Sequence, residues 1–358
     1  MHPSSSILNV SQPSTSRKRT GRPRRVLAGL ALSALLLSTA ACTGLPATQA
    51  AFDAHQTAFT QAQPHLQHTV TRADGGRLAV REFNAGQRGQ GATLVLMHGF
   101  PDNQHLYDAL IPLLARHHHV VSFDFLGWGA SDKPPSAVYD VASQRADLDA
   151  VVAHFGLQQV VPVVHDMSGP VGIDWVLDHP QRSRALVLLN TYYHQTPTLQ
   201  APPAIATFAA KGWFRDLRVW GASRAAGVFQ SGVQSQMSDF FYDDAARERW
   251  VPVLAHGAPS IRPAFFSATS LLWQEIDARA ARLPQMQQSP VPVLVVFGKS
   301  DPYLNPGVAR ALAGQFGQAR LQLIDAGHYV QLDRPAELAM AIQSLLDSPP
   351  PATRHAAP

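Results

Sequence analysis

Apolar and polar positions follow a block pattern through most of the chain. Short runs rich in aliphatic and β-branched residues recur at 78–83, 93–97, 120–125, 160–164, 185–189, 291–297 and 321–324. Several of these runs are continuously apolar rather than alternating. That suits strands covered on both faces, as in a parallel sheet. Segments of helical pattern separate them, so the spacing predicts an α/β chain with a mostly parallel, doubly wound sheet. In such sheets chemistry collects beyond the carboxyl ends of the strands.

One long stretch breaks the rhythm. Between 191 and 283 no strand pattern stands out, while aromatic residues are frequent, among them Tyr192, Tyr193, Phe208, Trp213, Trp220, Phe240, Tyr242, Phe265 and Trp273. This is read as a helical cap inserted over the strand ends, forming an apolar pocket that excludes water. The core is then expected in two parts, 67–190 and 284–347. Residues 42–66 read as a tether or frayed helix. Residues 348–358, with three consecutive prolines, read as a disordered tail.

Charge changes the picture only at one end. The formal net charge is +4 over 358 residues, and the sequence pI is about 9.4. Residues 1–41 carry Arg17, Lys18, Arg19, Arg22, Arg24 and Arg25 and no acid, and without them 23 basic residues face 25 acidic ones. The body has no basic run, which argues against a nucleic-acid partner. The N-terminus has the order of an export signal: basic residues, an apolar run over 26–37, then small residues to Ala41. That run is shorter than the about 20 apolar residues a membrane span needs. Cys42, the only cysteine, excludes an internal disulfide. Its place after Thr39-Ala40-Ala41 resembles a bacterial lipobox, although Leu commonly stands where Thr39 does. An exported envelope protein, tethered by lipid on Cys42, is the expectation. A cleaved signal with an incidental cysteine is the alternative, and Arg24-Arg25 hints at a twin-arginine signal.

The chemistry centres on residues 160–172. A buried strand ends near His165, and Asp166-Met167-Ser168-Gly169 leads into a helical run. Strand, tight turn and helix form the setting of a nucleophile elbow, with small residues around the nucleophile. Asp166 fits as the nucleophile, with Ser168 in the small position two residues on and Val164 where Gly is commoner. Ser168 is the rival, but it would put Pro170 where the serine pattern wants glycine. Alone, Asp166 reads equally as a helix cap. Its partners change that. His98-Gly99-Phe100-Pro101 follows one strand and offers the Phe100 N–H, which with the Met167 N–H makes an oxyanion hole. Asp301 follows a later strand, and His328 follows the last. Nucleophile, acid, histidine is the order of α/β-hydrolases.

From about residue 68 to 346 the chain resembles the α/β-hydrolase superfamily. The segment 123–134, Phe-Asp-Phe-Leu-Gly-Trp-Gly-Ala-Ser-Asp-Lys-Pro, is similar to a loop common across it. The His165-Asp166 elbow and His98-Gly99-Phe100-Pro101 resemble the epoxide hydrolases and haloalkane dehalogenases, both of which use an aspartate nucleophile. The resemblance implies attack on a saturated carbon, an alkyl-enzyme ester on Asp166, and hydrolysis by a water that His328 activates while Asp301 orients it. No metal or organic cofactor is required. The run His117-His118-His119 leads into a strand, whose alternate side chains face opposite ways, so it is not read as a metal site.

The leaving group separates the subclasses. Epoxide opening needs a proton donor, which the family supplies from cap tyrosines, usually a pair. Tyr192, Tyr193 and Tyr242 are the candidates, and each also reads simply as packing. Dehalogenases commonly place Trp after the nucleophile, where this chain has Met167, and some use Asn or Glu after His-Gly, where it has Phe100. A cap tryptophan (Trp213, Trp220 or Trp273) remains a candidate halide donor. Haloacetate dehalogenases place Arg after the nucleophile, which Met167 cannot replace. The expectation is an epoxide hydrolase acting on a small apolar substrate. A haloalkane dehalogenase, a serine-type esterase through Ser168 and a non-catalytic lipoprotein that binds an apolar ligand are the alternatives, since fold alone does not give function.

Overall fold

A computed structural model describes residues 47–348. The expected export segment, Cys42 included, and the expected tail beyond Ser348 lie outside the described residues. Eight strands form one sheet: β1 Leu66–Thr71, β2 Arg77–Phe83, β3 Thr93–Met97, β4 His119–Phe123, β5 Val160–Asp166, β6 Leu186–Thr191, β7 Val293–Gly298 and β8 Ala319–Ile324, in the spatial order β1-β2-β4-β3-β5-β6-β7-β8. β1, β2 and β4 pair antiparallel, and the pairings from β4 through β8 are parallel. Every residue of β3, β4, β6 and β7 is buried. This is the burial on both faces that their unbroken apolar runs require.

All seven expected runs are strands, shifted by a residue or two at their ends. The eighth, β1, has no apolar run because it is an edge strand in which only Val70 is buried.

The order reverses between β3 and β5, whose ends lie side by side with Met97 opposite Val164. The loops after these two strands therefore leave the sheet next to each other. The stretch expected to be a cap holds helices Pro203–Ala209, Trp213–Arg224, Ala226–Ser238, Asp244–Leu254, Arg262–Ala278 and Leu283–Gln288. The last of these runs beyond the expected boundary at 283.

The segment expected to be a tether contains a continuous helix over 47–62, and this helix bridges cap and core. Phe52 stacks on His256 at 3.9 Å between centroids, and His55 meets the Trp250 ring edge-on at 4.9 Å. Both partners belong to the cap. On the core side, the His55 imidazole lies 2.8 Å from Asp108 Oδ2, and Phe59 packs beside Phe83 under the Arg81 guanidinium. Asp108 is fully inside. Arg81 Nη2 donates to its Oδ1 at 2.8 Å, and His105 Nδ1 lies 2.7 Å from its Oδ2. Burial alone would raise this carboxyl, but Arg81 and His105 hold it well below the usual carboxylate range. These polar atoms satisfy one another, and Arg81 supplies positive charge.

The buried Arg81–Asp108 pair predicts a specific cost. Removing one partner of such a pair strands the other charge, typically at about 3–5 kcal/mol. Asp108→Asn is expected to lower unfolding stability by about 3 kcal/mol, read as a shift of the urea midpoint. A midpoint unchanged from wild type would show that the pair contributes nothing.

Candidate active site

Asp166 sits at the turn between β5 and the helix Ser168–Asp178, with a left-handed φ of 52°. The ladder to β6 slips at this residue, and the Thr191 hydroxyl donates to the Asp166 carbonyl at 2.5 Å. Such a backbone is unfavourable for a residue with a Cβ and survives only where the surroundings enforce it. Gly169 makes that possible. A Cβ there would lie 1.8 Å from Thr191 Oγ1 and 2.9 Å from the Tyr192 carbonyl oxygen, so a larger residue would force the Thr191 side chain or the helix to shift. Gly99, on the facing loop, is as tightly placed, since its Cβ would fall 2.7 Å from Asp166 Cβ.

The Asp166 carboxylate therefore stands against two backbone donors. The Phe100 N–H donates to Oδ1 at 3.1 Å, and the Met167 N–H also bonds to the carboxylate. His98 stiffens the loop. Its Nε2 accepts from the Phe125 N–H at 3.2 Å, which leaves Nδ1 to donate to the Gly99 carbonyl at 2.8 Å. Burial lowers its pKa, in keeping with a neutral ring.

His328 reaches this point from β8, three strands away from β5. The chain after Ile324 crosses over the end of β7, where a Cβ on Gly298 would fall 1.9 Å from the Gly327 carbonyl oxygen. Gly298 is thus the residue over which the histidine loop folds back. The cap secures the loop from above, with the His328 N–H donating to the Phe240 carbonyl at 2.8 Å. His328 Nδ1 then lies 2.7 Å from Asp301 Oδ2. The other Asp301 oxygen accepts from the N–H groups of Tyr303 at 2.9 Å and Leu304 at 3.0 Å. Asn190 Nδ2 donates to Oδ2 at 2.8 Å, while its own Oδ1 accepts from the Gly298 N–H. Sequence reasoning missed Asn190. Its only signal is a polar residue at the end of an apolar strand, and its role needs the neighbouring strand to be known.

Electrostatics tie the three groups together. Burial raises Asp301, but the His328 charge, this hydrogen bond and the backbone donors outweigh it and hold the carboxyl below its usual value. Burial lowers His328, but Asp301, then Asp166 and Asp102, outweigh it and raise the imidazole. Burial also raises Asp166, against the His328 charge and the two N–H donors.

A fourth group was not expected. Asp102, just past the oxyanion loop, is buried and pushed up to about 7, first by burial, with His328 opposing and Asp166 adding. Its Oδ1 accepts from the Tyr329 hydroxyl at 3.0 Å. Its Oδ2 and His165 Nδ1 are 3.9 Å apart, and neither has a hydrogen-bond partner among the described residues. His165 Nε2 lies 3.1 Å from the His328 carbonyl, so this pocket of polar groups underlies the histidine loop.

Asp166, Asp301 and His328 open on one cavity, lined elsewhere by Phe100, Met167, Tyr192, Leu199, Ile205, Leu272, Trp273, Ile276 and Tyr303. The lining is mainly apolar, as expected for the pocket. The candidates separate here. Tyr192 lines the cavity, and burial and the Asp166 charge raise its phenol far above the ordinary range. Tyr193 does not line it; its hydroxyl donates to Asp174 Oδ1 at 2.6 Å beneath the cap. Tyr242 is also corrected, because it is half exposed beside Arg334 on the outer surface. Trp273 lines the cavity, whereas Trp213 and Trp220 face outward. Tyr303 was not anticipated. Ser168 is fully buried, with its hydroxyl 2.8 Å from the His165 carbonyl and 2.9 Å from the Met97 carbonyl. It holds the elbow together and does not face the cavity, which removes the serine-type alternative. The histidine run does not converge either: His118 bonds Gln343, while His119 turns inward to Glu82 and Thr93.

Comparison with known proteins gives the family. The family model described as alpha/beta hydrolase fold matches residues 92–335. A haloalkane dehalogenase of Mycolicibacterium paratuberculosis is 30% identical over 282 residues, covering 77% of this chain and 90% of the relative. A cis-3-alkyl-4-alkyloxetan-2-one decarboxylase of Xanthomonas campestris is 26% identical over 279 residues, covering 73% and 90%. Among solved structures, a bacterial membrane phospholipase A superposes with a TM-score of 0.65 at 22% identity, covering 90% of this chain and 98% of that one. A hydrolase from Pseudomonas aeruginosa gives 0.62 at 23% identity, covering 79% and 98%. The structural matches bear on the fold alone. The matched family model and the dehalogenase relative carry the assignment: the chain belongs to the α/β-hydrolase fold family and is a hydrolase within it.

Proposed function

We propose that this hydrolase opens a strained cyclic ether of the epoxide class through an alkyl-enzyme ester on Asp166. The observation that carries the choice is Tyr192. It is a phenol held protonated in the same apolar cavity as the Asp166 carboxylate. A departing ring oxygen needs a proton, and a neutral phenol supplies one. An Asp166 oxygen attacks a ring carbon, the C–O bond breaks, and the oxygen takes the Tyr192 proton. The product is a hydroxyalkyl ester. His328 Nε2 then takes a proton from water while the water oxygen adds to the ester carbonyl. The Phe100 and Met167 N–H groups, which hold the free carboxylate in the resting site, face the oxyanion of this step. Collapse breaks the ester C–O bond, the leaving diol oxygen takes the proton left on the added hydroxyl so that Asp166 returns as a carboxylate, and the proton on His328 restores the phenol.

The charges support that order. Alkylation neutralises Asp166 and removes one of the negative groups that raise His328. The imidazole therefore becomes a more available base when the ester is waiting for water.

A second reading has its own support. The dehalogenase relative and the Trp273 indole in the cavity favour halide as the leaving group. Met167 and Phe100 are not the usual halide donors, so this reading ranks second. Both share the ester on Asp166, and mass spectrometry separates them. His328→Gln, with turnover reduced by about 10²–10⁴-fold, is expected to accumulate a covalent adduct on Asp166. The adduct mass equals the intact epoxide in the first reading, and the alkyl group with halide release in the second. No adduct from either reagent would end both.

Tyr192→Phe gives an independent check. Loss of the donor is expected to slow epoxide opening by about 10²-fold or more while halide displacement, if present, is spared. Equal epoxide turnover in the variant would assign the proton to another group.

His328 should titrate above the ordinary imidazole value in the free enzyme, because its folded pKa is raised. The base form is lost as pH falls through that raised value, so turnover declines on the acid side. NMR titration of His328 in Asp301→Asn should show the pKa moved downward. A value unchanged by that substitution would contradict the coupling.

A further inference from the structure

The cap carries an outward face that the reaction does not use. In the helix Trp213–Arg224 no residue is fully buried. Arg215, Val219 and Ala222 turn inward. Arg215 is pinned by donating to the Phe208 and Phe266 carbonyls, each at 2.8 Å, while Val219 and Ala222 pack on the core. On the opposite side Trp213 is 76% exposed, Trp220 56%, Phe214 54% and Leu217 54%. Trp213, Leu217 and Trp220 stand at i, i+4 and i+7, which makes one continuous stripe. A contiguous exposed apolar patch on a soluble domain marks an interaction surface.

The charges around the stripe say what kind. The Arg218 guanidinium lies 4.8 Å from the Phe214 ring centre, and that of Arg224 lies 4.3 Å from Trp220. Lys211 is exposed two residues before the helix. The acid on the helix, Asp216, is next to Arg215. The cations are therefore held at the level of the aromatic rings. A second copy of the chain docked face to face about a two-fold axis would set this cationic patch against another of the same charge. A bilayer with anionic headgroups meets both features, because tryptophan favours the headgroup level and arginine favours the phosphate charge.

We infer that the outer face of helix Trp213–Arg224 docks on an anionic lipid bilayer. This surface is separate from the expected lipid on Cys42 and does not depend on the leaving group assigned above. Docking there also places the neighbouring helix Pro203–Ala209, whose Ile205 lines the cavity, close to the layer in which apolar substrates dissolve.

The tryptophans themselves provide the test. Of the six, Trp128, Trp175 and Trp250 are buried and Trp273 lines the cavity, so Trp213 and Trp220 are the two a bilayer can reach. The full chain is mixed with vesicles of brominated phosphatidylcholine containing phosphatidylglycerol. Strong quenching of tryptophan fluorescence is expected. It should fall several-fold when phosphatidylglycerol is omitted or in Arg218→Glu/Arg224→Glu, and disappear in Trp213→Phe/Trp220→Phe. Circular dichroism establishes that each variant is folded. Vesicle flotation without quenching would show attachment by another part of the chain and overturn the inference. So would quenching that persists in the double Phe variant. A self-association in sedimentation that Trp213→Ser/Trp220→Ser abolishes, without quenching of wild type by vesicles, would assign the face to a second copy instead.

Discussion

The proposed reaction depends on keeping the Asp166 carboxylate charged inside an apolar cavity. Burial pushes Asp166 towards its neutral acid, and the surroundings oppose it with the His328 charge and two backbone N–H groups. Those three groups come from three different loops. The sheet order that brings the ends of β3 and β5 together, and the fold-back of the β8 loop over Gly298, are what let these groups meet.

The same economy governs the histidine. His328 stands far from Asp166 along the sheet, and it arrives only because the loop crosses the end of β7 and is held by the cap at Phe240. Asn190 ties this arrangement to β6 by bonding Asp301 with one end of its amide and the Gly298 N–H with the other. Asp102 and His165 form a buried polar floor beneath it. The charges of the site thus respond to one another, and in the proposed reaction each change at Asp166 is felt at His328.

The cap is more than a cover. The helix over 47–62 contacts Trp250 and His256 in the cap and Asp108 in the core, so chain outside the matched family region joins the two layers. Its apolar contacts are few and widely spaced, Phe52 and Phe59 among alanines and glutamines, which is why the segment looks like a tether in the sequence.

The block pattern of the sequence was sufficient for the parallel strands, because strands buried on both faces must be apolar throughout. It was insufficient for β1, an edge strand with a single buried residue. Asp166, Asp301, His328 and the two N–H donors at Phe100 and Met167 were legible because each follows an apolar run in a set order. Ser168 was legible only as a rival, and its burial under the elbow decided against it. Tyr192, Tyr193 and Tyr242 were indistinguishable in sequence, since nothing local separates a phenol aimed into a cavity from one bonded to Asp174 or stacked beside Arg334. Asn190 and Asp102 were invisible for the same reason: their partners lie on distant segments of the chain. The sequence by itself determined the layered fold and the order of the candidate reacting groups, which rest on local periodicity and on strand ends. Tertiary structure alone decided which side chains share the cavity, because that depends on how distant segments cross.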